Sequence, residues 1–360
     1  MPRKIKLDAE FIDTNTFISM IENRYGENII DRNEEVLLRD IKVIPTGSIS
    51  LDISTGVGGI PRGKFTEIFG LESSAKTSLC LSIAKQALNL GLRVLYVEPE
   101  NTLDYKYIEA IVGTIDKENF ILAQTETAEQ ALSICEAGVK SKEFQLIILD
   151  SVGALSSKAE QEDDLEKTHY AGISKLLTLF LKRNAFDVRS DEVAFIFVNQ
   201  VRDNIGNPYG GVSTPGGHAL RHFLALRIQL SRKDTISVTV NKDLQDDIGI
   251  NSRFVIKKNK LAKPFRTFFF PFMFGEGIDT VVDTVNFAEM LRILTKRGSY
   301  YAFEGVTLGQ GVANTAKYLR EHSETLDRIQ KMCYDSIVTN EGSMPVDDDE
   351  EGDTDDGTES

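Results

Sequence analysis

The chain is poor in the residues that mark metal centres and disulfide scaffolds. Its three cysteines, Cys80, Cys135 and Cys333, are widely spaced and form no CxxC pair. That excludes a disulfide framework and leaves them to be read as buried or free thiols. Histidine occurs four times; His218 and His222 stand four residues apart, but no glutamate accompanies them as a zinc-binding helix would require. Long hydrophobic runs are missing too. The densest apolar cluster, Phe268 to Phe274, is far shorter than the roughly 20 residues that span a bilayer. The opening MPRKIKLDAEF lacks the apolar stretch of a signal peptide. A cytoplasmic protein with no membrane partner is expected. No repeat of solenoid period is visible. Positive charge is absent from residues 341–360, which carry ten acidic side chains, and the formal net charge of −14 falls to −4 once that block is set aside. Acid interleaved with Gly, Ser and Thr reads as a disordered tail. It either keeps the chain soluble or competes with nucleic acid for basic surfaces of the same protein.

What is present is ordinary globular composition, 41% hydrophobic and 27% charged, in a chain of 360 residues long enough for one large core with smaller appendages. A helix at Asn15 to Arg24 and a short strand near Ile41 to Ile44 form a small N-terminal arm over residues 1–45. From residue 46 to 275, apolar strand candidates recur at Phe65–Phe69, Arg93–Val97, Gln145–Leu149, Val193–Val198, Leu226–Leu230 and Phe254–Lys258. Helical patterns at Ser78–Asn89, Leu103–Val112, Ala128–Val139 and Ile173–Phe186 separate the earlier ones. This alternation predicts an α/β core with a mostly parallel central sheet covered by helices on both faces. A ligand is expected at the carboxyl ends of the strands. Residues 276–338, with helices at Val282–Leu294 and Ala313–Glu321, read as a small α+β C-terminal domain, and 339–360 as the acidic tail.

The stretch Gly70-Leu71-Glu72-Ser73-Ser74-Ala75-Lys76-Thr77, set between a predicted strand and a predicted helix that opens at Ser78, fits a phosphate cradle. The glycine lets the backbone curl round an anion, Lys76 can reach the β- and γ-phosphates, and the Thr77 hydroxyl can ligate Mg²⁺. The helix adds its positive end. Ala75 stands where the pattern G-x-x-x-x-G-K-[ST] has its second glycine. A second carboxylate for the cation comes from Asp150, at the end of the buried run LIILD. Glu100, in VEPE, is the candidate general base, with Glu98 its competitor, since alternation along an extended segment puts both on one side. Asn199-Gln200 closes another strand with amides able to sense the γ-phosphate. The loop Val201 to Gly217 is rich in Gly and Pro and unusually long for a compact domain. With Arg202 it suits close approach to a phosphodiester chain. Lys258 and Lys260 lie at i, i+2, either as a solvated strand end or projecting towards a neighbouring subunit's phosphates.

Taken together, TGSISLD from Thr46, GGIPRG from Gly58, GLESSAKT, Glu100 with Leu103-Asp104, LDSVGAL from Leu149, NQVR from Asn199, KKNKLAKPF from Lys257, GEGID from Gly275 and LGQGVANTAKYL from Leu308 resemble the bacterial RecA recombinase family, over about Phe17 to Ile337. The resemblance implies a RecA-type P-loop ATPase core. It implies a DNA-dependent ATPase that forms helical filaments on single-stranded DNA, pairs that strand with homologous duplex and exchanges strands, with ATP and Mg²⁺ between subunits and loader or repressor proteins as further partners. By position it assigns water activation to Glu100, the adenine to Asp104 and Tyr107, Mg²⁺ to Thr77 and Asp150, the γ-phosphate switch to Gln200, and the neighbour's ATP to Lys258 and Lys260. Glu162 to Gly172 becomes a first DNA loop with Tyr170 inserted, and Val201 to Gly217 the second, with Ile205 as a wedge and Gly216 and Gly217 at its end. Lys175, Lys182 and Arg202 would meet phosphates. The first loop is unusually acidic, with Glu162, Asp163, Asp164 and Glu166. Two other classes fit the same core: a ring-shaped helicase or translocase, and a DNA-binding filament scaffold that holds ATP with little hydrolysis, motivated by Ala75. A divergent, phage-encoded member is one reading of these departures.

Overall fold

The computed structural model describes residues 13–25, 41–158, 172–203, 212–241 and 244–339. The acidic block 341–360 lies outside them, as do 1–12 and 26–40 of the predicted arm. The chain divides into two units at Ile41/Lys42. In the first, helix α1 spans Thr14–Tyr25, one residue longer at each end than expected. The Asp13 carboxylate caps it, accepting the N–H groups of Asn15 and Thr16 at 3.0 and 3.1 Å.

The second unit begins with Val43–Ile44 (β1), which pairs antiparallel with Ile60–Pro61 (β2). The short strand expected in the arm therefore belongs to the core. Between the two lies helix α2, Ile49–Ser54, buried at all six positions and opened by Ser48, whose hydroxyl accepts the Leu51 N–H.

The central sheet has nine strands in the order β13-β12-β11-β10-β3-β7-β6-β4-β5. They are Lys64–Gly70 (β3), Val94–Glu98 (β4), Phe120–Gln124 (β5), Leu146–Leu149 (β6), Ala194–Gln200 (β7), Leu224–Asn241 (β10), Leu244–Asn259 (β11), Thr267–Met273 (β12) and Gly277–Ile278 (β13). From β10 to β5 all neighbours run parallel, whereas β11, β12 and β13 are added antiparallel. The parallel half is joined by helices α3 (Lys76–Asn89), α4 (Tyr105–Val112), α5 (Ala128–Ser141) and α6 (Gly172–Ser190). Alternation decides which layer each side chain enters. In β7, Ala194, Ile196 and Val198 join Leu79, Ile83 and Ala87 of α3 in one apolar cluster. Phe195 and Phe197 join Ala131, Cys135 and Leu181 of α5 and α6 in the other. All three cysteines are buried free thiols.

The long hairpin of β10 and β11 differs from the five-residue strands expected there. Its outer half carries exposed polar side chains such as Ser237, Thr239, Asp246 and Asp247, so the apolar pattern ends well before the hydrogen-bonded ladder does. Strand β5 was not anticipated either, its apolar stretch being short and at the sheet edge.

Beyond β13, helix α8 (Thr280–Met290), a three-stranded antiparallel sheet of Thr295–Arg297 (β14), Tyr300–Phe303 (β15) and Val306–Gln310 (β16), and helices α9 (Gly311–Glu321) and α10 (Ser323–Thr339) enclose a third cluster. Ile49 and Ile53 of α2 belong to it, so α2 is the bolt between the central-sheet core and the C-terminal layer. Two buried acids sit at that bolt. Asp52 accepts the Thr46 N–H at 2.8 Å and faces the Tyr334 hydroxyl at 3.5 Å, while Asp283 accepts the Ser48 hydroxyl at 2.8 Å and the Ser50 N–H at 3.2 Å.

Burial pushes the Asp52 carboxyl up to about 8, with Asp283 adding repulsion, and burial likewise pushes Asp283 up to about 6. Between the ordinary carboxylate value and these values the native state holds protons that the unfolded chain has released. Stability attached to the pair is therefore full at acid pH and declines as pH rises through about 6 to 8. Asp52→Asn should flatten that decline in melting temperature measured from pH 5 to 9; a slope equal to the parent's would place its origin elsewhere.

Candidate active site

The carboxyl ends of β3, β4, β6 and β7 come to one edge of the sheet, because Gly70 pairs with Gln200, and Leu149 with both Val97 and Phe197. Four of the predicted segments are thereby gathered: the cradle after β3, the VEPE turn after β4, Asp150 after β6 and Gln200 closing β7.

Residues 71–75 form a turn before α3. Glycine at 70 is required by proximity, since a Cβ there would lie 2.1 Å from the Leu230 carbonyl oxygen of β10. Ser74 donates its hydroxyl to the Leu71 carbonyl at 2.7 Å. The Lys76 ammonium donates to the carbonyls of Gly70 at 3.0 Å and Leu71 at 2.7 Å, so it lies folded over the loop it follows. Its pKa is lowered, chiefly by burial. Helix α3 starts from Ala75, in the left-handed region at φ 69°, ψ 27°, without a side-chain cap. Its first N–H groups are the donors that a helix leaves for an anion.

Asp150 follows the fully buried strand β6. One of its oxygens, Oδ2, accepts hydroxyls from Thr77 and from Tyr96 of β4, both at 2.7 Å. Burial raises its pKa, while the two donors and Lys76 pull the other way. Burial also pushes the Tyr96 phenol up, so it stays a donor. A buried tyrosine in an otherwise apolar strand needs a polar partner; this residue was not singled out from the sequence, although the run LYVE carries that signal.

The two candidate bases are separated by the backbone. Strand β4 ends at Glu98 and the chain turns, so the alternation argued for an extended segment does not apply. Glu98 is buried and accepts the Thr102 N–H and hydroxyl at 3.0 and 3.3 Å. Glu100 is exposed and accepts the hydroxyl of Ser151, next to Asp150, at 2.7 Å. Asp104 caps α4 through the Lys106 N–H at 2.8 Å, and Tyr107 shares a 2.7 Å hydrogen bond with Ser78 on the first turn of α3.

Beneath the site, Glu67 of β3 is fully buried and accepts Arg227 Nε of β10 at 2.6 Å and the Asn199 amide of β7 at 2.9 Å. Arg227 also lies 4.6 Å from the centroid of the Phe69 ring. An acid inside the strand KFTEIFG was the overlooked sequence sign of this network. The same Asn199 amide donates to the Pro215 carbonyl at 2.7 Å, tying the end of β7 to the far end of the predicted second loop. That loop is shorter than expected. Arg202–Asp203 (β8) pairs with Val212–Ser213 (β9), and helix α7, Gly217–Phe223, starts at Gly217 with Gly216 at φ 106° before it. Ile205 and Tyr170 lie outside the described residues.

Lys258 near the end of β11 and Lys260 just beyond it donate to the carbonyls of Arg221 and His222 respectively. Both ammonium groups thus sit at the carboxyl end of α7, where a helix favours cations. Lys175 and Lys182 are apart from all this, on the exposed face of α6, where with Ser174, Thr178 and Leu179 they line a hollow of about 410 Å³.

The donors present fit a nucleoside triphosphate with a divalent cation: uncapped helix N–H groups, an ammonium held by two main-chain carbonyls, and a hydroxyl-carboxylate pair. Among the described residues no cluster of His, Cys, Asp and Glu could hold a metal alone, so the cation's remaining ligands would be phosphate oxygens and water. No helix among them is long and apolar enough to cross a membrane.

A P-loop at the switch point of a mostly parallel sheet defines the class as a P-loop nucleotide hydrolase. Comparison with known proteins narrows it. Residues 13–279 match the RecA N-terminal domain and 282–337 the RecA C-terminal domain. Among similar proteins, Protein RecA 2 of Myxococcus xanthus is 38% identical over 316 residues, covering 87% of this chain and 86% of its own. Protein RecA of Aquifex pyrophilus is 37% identical over 315 residues, covering 87% and 88%. The chain belongs to the RecA family, whose members are DNA-dependent ATPases and recombinases. A match through both domains does not favour the ring-helicase reading.

Tyr96→Phe removes one of two donors to a buried carboxylate. It should cost about 1–2 kcal/mol of unfolding free energy in a urea titration; an unchanged midpoint would mean that water or Thr77 replaces the bond fully.

Proposed function

We propose that this chain is an ATP-dependent DNA recombinase that assembles as a helical filament on single-stranded DNA, pairs it with homologous duplex and exchanges strands. The observation that carries the reading is the convergence of the Lys76 loop, Thr77 with Asp150, and Glu100 with Ser151 at one sheet edge.

Bound Mg²⁺·ATP would supply the reactive γ-phosphoryl group and the cation that offsets its charge. Lys76, now turned onto loop carbonyls, would exchange them for the β- and γ-phosphates. Thr77 and Asp150 would hold the cation, Asp104 and Tyr107 the adenine. Glu100 would orient the attacking water and receive its proton, and Ser151 holds that carboxylate in position. Glu98, engaged with Thr102, is the less suited base. Gln200, in register with Gly70, would report γ-phosphate occupancy into the segment beginning at Val201.

Lys258 and Lys260 would serve the nucleotide of an adjacent subunit, leaving the α7 carbonyls to do so. DNA phosphates would meet Lys175, Lys182 and Arg202, with Tyr170 and Ile205 between bases and Gly216 and Gly217 allowing close backbone approach. ATP selects the extended filament and hydrolysis weakens it, which is a population shift. The arm, residues 1–45, would serve assembly, and the acidic tail would restrain duplex binding in the cytoplasm.

Hydrolysis measured with and without single-stranded DNA tests the site and its coupling together. Strong stimulation is expected; ATP-dependent DNA binding without turnover would favour the scaffold. Lys76→Ala should abolish ATP-dependent filaments in electron micrographs, and unaltered filaments would remove the loop from the mechanism. Glu100→Gln should keep assembly and lower turnover by about 10²-fold or more; turnover at the parent rate would return the role to Glu98.

A further inference from the structure

Ala75 presents a problem of backbone geometry. It stands at φ 69°, in the left-handed region that glycine enters freely and that a Cβ disfavours. Ser73, two residues earlier, is also left-handed, at φ 58°. Two such residues in one phosphate loop need an external restraint to keep the donors aimed.

A restraint is present on the far side of the loop. Ser252 belongs to β11, in the antiparallel half of the sheet, opposite Arg232 on one side and Phe270 on the other. Its hydroxyl is fully buried and donates to the Ser74 carbonyl oxygen at 2.9 Å. Across a planar trans peptide the carbonyl and the next N–H point in opposite directions. Holding the Ser74 carbonyl towards β11 therefore turns the Ala75 N–H away from the sheet. That N–H has no backbone acceptor among the described residues.

We propose that Ser252 is a positioning residue for nucleotide binding, its hydroxyl tethering the 74–75 peptide so that the Ala75 N–H is presented to phosphate although residue 75 lacks glycine's freedom. The inference rests on the nucleotide-binding reading above. The tether substitutes for the second glycine of the loop: where a glycine would reach the conformation without strain, this chain holds an alanine there from a neighbouring strand. Ser74 contributes from the other side, because its own hydroxyl fixes the Leu71 carbonyl, whereas Ser252 acts on the peptide plane that carries the donor.

The test is a double-mutant cycle in the full-length protein, read by equilibrium binding of a fluorescent ATP analogue with Mg²⁺ and by hydrogen–deuterium exchange of residues 70–78 without nucleotide. Ser252→Ala should weaken binding about tenfold and speed exchange of that peptide, whereas Ser252→Thr, which keeps the hydroxyl, should stay within about twofold of the parent. In the Ala75→Gly background, Ser252→Ala should cost no more than about twofold, because glycine holds the conformation unaided. Equal losses in both backgrounds, or a lowered melting temperature with affinity and exchange unaltered, would overturn the tether and leave Ser252 a packing residue. A parent chain that binds no nucleotide would instead overturn the functional reading. The exchange measurement then decides alone: faster exchange in Ser252→Ala upholds the tether, and unchanged exchange overturns it.

Discussion

The arrangement depends on one buried carboxylate. Asp150 is nearly inaccessible, and a charge in that setting is tolerated only when hydrogen-bonded or neutralised. Its Oδ2 takes hydroxyls from Thr77 on α3 and Tyr96 on β4, so a single atom ties the first turn of α3, strand β4 and the end of β6 together. The requirement to satisfy that oxygen aligns the phosphate loop with the strand that leads to Glu100. Removing the acid would release constraints on the whole sheet edge, which is why structure and chemistry cannot be separated at this residue.

A second tie runs under the site. Glu67 is shared between Arg227 and Asn199 on the two strands flanking β3, and a buried acid with both flanking partners satisfied is costly to disturb. Asn199 passes the constraint on to Pro215, while Lys258 and Lys260 hold the carboxyl end of α7. The segment that follows β7 is therefore held at both ends by groups that neighbour nucleotide sites in the proposed filament. In the filament proposed above, Lys258 and Lys260 would exchange those carbonyls for an adjacent subunit's phosphates, which would shift the balance between the two states of this segment.

The C-terminal layer is joined to the core by α2, whose short amphipathic turn would be unremarkable on the surface. Here all six residues are buried and two of them, Ile49 and Ile53, complete the core of the other layer. The acids Asp52 and Asp283 at that junction are held by main-chain and serine donors instead of cations, and with both carboxyls raised by burial the joint weakens as pH rises and not as it falls.

How much of this was legible beforehand follows from which interactions are local. The cradle, the strands before and after it, Asp150 at the end of LIILD and the helices of the parallel half rest on periodicity and on short motifs. A chain segment carries those regardless of what packs on it. The extents of β10 and β11, the three-stranded sheet and the edge strand β5 were not legible, because their side chains alternate weakly and hydrogen bonding to neighbours defines them. At the site, the roles proposed for Lys76, Thr77 and Glu100 could be read from spacing, yet the different surroundings of Glu98 and Glu100 follow from a turn that ends β4, and those of Tyr96, Ser151, Ser252 and Glu67 from partners far away in the chain. Sequence alone determined the nucleotide chemistry and the α/β class, since both are written in contiguous residues. Only the tertiary structure decided which donor meets which acceptor, since buried polar groups must find partners wherever the fold brings them.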